Sequence, residues 1–176
     1  MTLLELQTMI HERNKAVGWW DEERPFSTFV CLFHSELSKA MEGGRKGLMD
    51  DHLPQYPMFQ VELADFVIRC MDWLGSKNAN EYGKIKYPEG YTRRISTCSF
   101  LANLHKAVSK CLVAVQDEPD PDAELMLSAT IEFCFNYANN NNFNLHQIIL
   151  EKVEYNKHRA DHKRENRQGE VGQKRY

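Results

Sequence analysis

Two acidic runs hold the residues best suited to chemistry. In "FHSELSKAMEGGRKG", residues 33–47, Glu36 and Lys39 lie three apart. In "VELADFVIRCMD", residues 61–72, Glu62 and Asp65 have the same spacing. At about 100° per residue, positions three apart on a helix lie about 60° apart and share a face. Val61, Leu63, Ala64, Phe66, Val67 and Ile68 surround the second pair, so it abuts a core at least in part. Buried carboxylates are costly unless paired or metal-bound, and spacing alone leaves both outcomes open. Arg69, four residues after Asp65, and Asp72, three after Arg69, would make a salt-bridged helix face. Alternatively, Glu36, Glu62 and Asp65 would hold a hard cation such as Mg2+ between two antiparallel helices, one or two carboxylates plus substrate phosphates being its usual set. Di-iron bundles use Glu-x-x-His pairs, which these helices lack.

The elements that must position these groups are helical. Apolar residues recur at i, i+3, i+4 and i+7, and no period-2 strand stands out. The pattern predicts an all-α bundle of five to six helices. The first covers residues 2–17, with Thr2 as N-cap and Gly18 as its stop. Ser27 would cap a second, reaching Gly43. A third covers 58–74, a fourth 96–115, a fifth 122–138, and a sixth runs from an Asn144 cap to Lys157. The polar, Gly- and Asn-containing stretch 76–95 reads as a linker between two halves of one domain spanning 1–159, and 160–176 as a polar tail. "FHSELSKAME" (from Phe33) and "LHKAVSKCLV" (from Leu104) echo each other in their His, their Ser-Lys pair and their apolar spacing. Two similar helical hairpins, stacked as an internal repeat, would explain the echo. The second copy lacks the acids, with Ala107 in the place of Glu36 and Thr130 in that of Asp65.

Composition sets the outer limits. The 176 residues suffice for one domain with its own core. Hydrophobic content of 42%, charged content of 27% and a net charge of −3 are those of a soluble protein without a broad nucleic-acid interface. The five cysteines form no CxxC pair, which speaks against a zinc knuckle or disulfide framework and for a reducing compartment. No signal peptide or membrane span is expected, so the expected location is the cytoplasm.

The acidic runs resemble those of the MazG-like all-α nucleotide pyrophosphohydrolases, relatives of the dimeric all-α dUTPases, whose pattern is ExxE followed by ExxD. Glu36 matches the first acid, and "ELAD" matches ExxD at Glu62 and Asp65. Near the C-terminus, "EKVEYNKHRADHKRENR" is similar to the family's KxxxN element and its sequel, at Lys152, Asn156 and Arg159. The resemblance covers both ends of the chain, while the middle is longer and divergent. It implies hydrolysis of a (d)NTP to (d)NMP and pyrophosphate with Mg2+ or Mn2+ held by Glu36, Glu62 and Asp65. It also implies Lys152 and Arg159 on phosphate, Asn156 on sugar or phosphate, a homodimer, and an origin that could be a phage, acting in the host cytoplasm. Trp19 and Trp20 would either stack on a base or anchor a loop.

Lys39 stands where the family's second acid belongs. It could pair with a neighbouring acid and leave one metal, replace a second metal as a fixed positive charge, or prevent metal binding and leave a protein that binds nucleotide without cleaving it. Exchanging −1 for +1 beside a divalent ion is worth several kcal/mol at about 4 Å and an effective dielectric near 20. Glu42, on another face, cannot substitute, and it pairs more naturally with Arg45 at the surface.

Overall fold

The computed structural model describes residues 1–86, 95–117 and 122–159. They form six helices: α1 (Leu3–Ala16), α2 (Phe26–Lys46), α3 (Met58–Ser76), α4 (Thr97–Asp117), α5 (Asp122–Asn140) and α6 (Leu145–His158). The all-α bundle expected from periodicity is present. Residues 87–94 of the expected linker and the expected tail from 160 onward lie outside the described residues.

The third helix is the hub, because it is apolar on almost every side. Val61, Leu63, Ala64, Phe66, Val67, Cys70, Met71 and Leu74 are all buried, and α3 packs against α1, α2, α5 and α6. Phe33 of α2 meets Phe66 edge-on, with ring centres 6.1 Å apart. In the other half, Phe100 of α4 stacks on Tyr137 of α5 at 3.7 Å. No described helix is long and apolar enough to cross a membrane.

Helix ends follow local chemistry where a side chain can cap them. Thr2 and Glu5 form a reciprocal capping box on α1, and the Asn144 side chain accepts from Gln147 N on α6. The second helix departs from expectation at both ends. It starts after Pro25, without a side-chain cap, so Ser27 lies inside it. It also runs through Gly43 and Gly44 to Lys46 and ends at Gly47, whose φ is 65°. Gly43 is a point of close approach rather than a stop: a Cβ there would lie 2.7 Å from Met58 Cγ.

The connection from α2 to α3 is fastened to α6. Asp50 Oδ1 accepts from the His52 and Leu53 amides, both at 2.9 Å. Glu151 of α6 then accepts from Gln55 Nε2 (2.8 Å) and the Tyr56 hydroxyl (3.0 Å). The described part of the 76–95 stretch is also tied down: Gln7 Nε2 donates to Ala79 O (2.8 Å), and the Tyr82 hydroxyl to Gln7 Oε1 (2.7 Å).

The residues aligned by the sequence echo meet in space. His34 Nδ1 of α2 and His105 Nδ1 of α4 are 2.8 Å apart. Ser38 and Ser109 repeat the same bond, each hydroxyl donating to the carbonyl of the histidine four residues earlier.

Candidate functional site

Helices α2 and α3 pack side by side and bring both acidic runs together. One carboxylate oxygen from each of Glu36, Glu62 and Asp65 lies within 4.8 Å of the other two. Glu36 is 2% exposed and Glu62 7%. Such burial requires compensation, and three cations supply it. Lys39 sits between Glu36 and Glu62, contacting the former and lying 2.7 Å from Glu62 Oε2. Arg69 Nε donates to Glu36 Oε1 at 2.6 Å. Lys152, 1% exposed, reaches Asp65 Oδ2 at 3.1 Å from α6.

The carboxylates differ in their hold on a proton. Burial alone would raise Glu36, but Arg69 and Lys39 outweigh it and hold it below its ordinary value. Burial lifts Glu62 to about 7 against the pull of Lys39. Burial raises Asp65 too, with Lys152 opposing. Lys39 loses hydration, yet its two carboxylate partners raise it above an ordinary lysine. Glu62 is thus poised to exchange a proton near neutrality, and Glu36 is the fixed anion.

Glu36 and Asp65, though not Glu62, line a cavity of about 340 Å3 between α1, the 17–25 connection, α2, α3 and the end of α6. Asn14, Trp19 and Arg24 line one side, Asn156 and Arg159 another, and Glu36, Lys39, Asp65 and Arg69 the floor. Asn156 near the end of α6 and Arg159 just beyond it both line the cavity. Lys152, on the same stripe, points under the floor instead and is engaged by Asp65 and, at 3.5 Å, by His52 Nδ1. Trp20 is outside the lining: its indole N–H donates to Asp72 Oδ1 at 2.8 Å and its ring stacks on Phe29 at 5.3 Å. Trp19 is the tryptophan that faces the cavity.

Sequence reasoning missed three participants. Spacing offers Arg69 partners on its own helix, but it crosses to Glu36 on α2, while Asp72 takes His11 Nδ1 (2.9 Å) and Trp20. Arg24 and Asn14 went unnoticed because neither belongs to a motif, and only the packing of α1 and its connection brings them to the cavity. The expected surface pair of Glu42 and Arg45 is present at 2.8 Å.

The donor set fits a hard cation, since it consists of carboxylate oxygens without nitrogen or sulfur. In the arrangement described, the Lys39 ammonium holds the position between Glu36 and Glu62. The Oε2 atoms of both acids are buried and lie against that ammonium. Among known proteins, no family model, no curated protein and no solved structure matches this chain.

Proposed function

We propose that the cavity binds a nucleoside triphosphate and hydrolyses it to the monophosphate and pyrophosphate, as in the MazG-like group that the acidic runs resemble. The observation behind this reading is the convergence of Glu36, Glu62 and Asp65, two of which line a cavity shared with Asn14, Trp19, Asn156 and three arginines. Glu36, Glu62 and Asp65 would hold Mg2+ or Mn2+, which when bound supplies positive charge to phosphate oxygens and makes water a better nucleophile.

The chain's own groups divide the remaining work. The acids would orient or deprotonate the water that attacks the α-phosphorus. Glu36 stays ionised and holds Arg69 in place. Lys152 is a positioning residue that pairs with Asp65 and opposes the effect of burial on its charge. Asn156 and Arg159 face the substrate, with a guanidinium suited to bidentate phosphate contact. Lys39 contributes a fixed positive charge beside the acids in place of a second ion.

A second reading has its own support: the ammonium already sits between two of the three acids, which favours a protein that binds nucleotide without cleaving it. One experiment separates the two. Each (d)NTP is incubated with Mg2+ or Mn2+, and pyrophosphate release and binding are both measured. Release that Glu62→Gln abolishes supports the hydrolase. Binding without release from any nucleotide sinks it and leaves the second reading.

A further inference from the structure

Most charges around the cavity are answered within the fold. Lys39 is met by Glu36 and Glu62, Arg69 by Glu36, and Asp72 by His11 and Trp20. Arg24 is different. Its guanidinium lies 4.7 Å from the centre of the Phe29 ring and 5.8 Å from that of Trp19. One of its N–H groups donates to Trp19 O at 2.7 Å. Among the described residues it makes no ion pair. Burial disfavours its charge, Asp72 partly restores it, Arg69 opposes it and Glu22 favours it, and both guanidiniums line the same cavity.

A half-buried guanidinium on an aromatic shelf is held in orientation while most of its five N–H donors remain available. Two such cations lining one cavity repel each other, and Glu36 on Arg69 and Asp72 near Arg24 offset this only in part. A carboxylate or a single phosphate would reach one of them. A chain of phosphates carries several charges along its length and would reach Arg24 and Arg69 together. We propose that Arg24, together with Arg69, binds the phosphoanhydride chain of the ligand. This rests on the nucleotide reading for the identity of the ligand, but the anion site stands on the arginines alone. The same chemistry would be offered by a nucleotide or by free inorganic polyphosphate.

The test is isothermal titration of the full chain in EDTA, with inorganic tripolyphosphate, a non-hydrolysable nucleoside triphosphate and the bare nucleoside as probes. Wild type is expected to bind both phosphate probes, more weakly as salt rises. Arg24→Gln should weaken both by about 10-fold or more and leave nucleoside binding unchanged, while Arg24→Lys, which keeps the charge but loses the fork, should fall between. Equal affinity for tripolyphosphate and the nucleotide identifies the chain of phosphates as the recognised group. A preference for the nucleotide shows that the same site reads a base as well. The proposal is overturned if wild type binds neither phosphate probe, or if the variants bind them as wild type does. Should Arg24→Gln fail to fold, unchanged affinity in Arg24→Lys overturns it equally. Without divalent ions no hydrolysis is read, so failure here is distinct from absent pyrophosphate release in the turnover assay.

Discussion

Lys39 Nζ lies 2.7 Å from Glu62 Oε2 while also contacting Glu36, so one ammonium joins two carboxylates across the α2–α3 interface. With Arg69 and Lys152, this contact balances the three acids without any ion. Its charge balance can be reset by a single substitution.

Lys39→Glu places a third carboxylate against Glu36 and Glu62. The variant should be about 1–3 kcal/mol less stable than wild type without divalent ions, solvent at the half-exposed Lys39 position moderating the repulsion. Mg2+ should restore most of that loss and protect the variant far more than wild type. Thermal melts with and without Mg2+ measure this. Equal Mg2+ effects on both proteins would show that Lys39 does not stand in a cation position.

The pH dependence of stability has opposing parts. Glu62 is raised from 4.5 to about 7, so the folded state binds a proton that the unfolded state has released. Its contribution therefore favours folding below about pH 4.5 and is lost as pH rises toward 7. Glu36 is shifted the other way, so its stabilisation is present above pH 4.5 and lost as pH falls through its folded value. Urea titrations across pH 4–8 should show Glu62→Gln removing a decline in stability between pH 4.5 and 7. An unchanged slope would mean Glu62 ionises normally.

A different slope comes from the histidine pair. Burial lowers both His34 and His105 below 6.5, with His34 adding to the shift of His105. The unfolded chain thus takes up protons first, and stability should fall as pH drops below 6.5. The ring-centre separation of 5.0 Å and near-parallel planes, with facing Nδ1 atoms at 2.8 Å, describe rings edge to edge through one shared proton. His105→Phe should flatten this acid-side slope. If it steepens instead, the pair is not the group being titrated.

Removing the buried ammonium tests a third element. Lys152→Met leaves Asp65 without its cation in the core and should cost about 3–5 kcal/mol. Lys152→Met combined with Asp65→Asn should recover a large part of that, because the uncompensated charge is gone. Chemical unfolding of the four proteins of this cycle decides it, and additive losses would argue against direct coupling.

Two glycines should respond unequally to alanine. A Cβ at Gly75 would lie 2.7 Å from His11 Cγ, against a ring held by Asp72. At Gly43 it would meet the flexible Met58 side chain at 2.7 Å. Gly75→Ala should therefore cost about 2–3 kcal/mol, and Gly43→Ala clearly less, once the helical preference of alanine is counted. The reverse order in thermal melts would mean that α1, not Met58, yields.

The sequence made these helices legible because each carries its own periodicity, and the Thr2 and Asn144 caps are written within four residues of what they bind. It misplaced the end of α2 because glycine reads as a breaker, whereas Gly43 is small to let Met58 approach. The convergence of Glu36, Glu62 and Asp65 followed from spacing and from resemblance. Of the cations that neutralise them, only Lys39, three residues from Glu36, was legible as a partner. Arg69 reaches across to another helix, and Lys152 comes from 87 positions beyond Asp65. Spacing along one helix is visible in a sequence, and pairing between helices is not.

The burial of Lys152 beneath the floor also bears on how the protein is made. Asp65 emerges from synthesis long before its partner, within a helix that has no other lysine beside it. Until α6 docks, the two acids of α3 face each other without that charge, and the most sequence-distant ion pair of the site is the one that completes it. A chain arrested before residue 152 should hold an unfinished core. Assembly of the site would then be the closing event of folding rather than its seed.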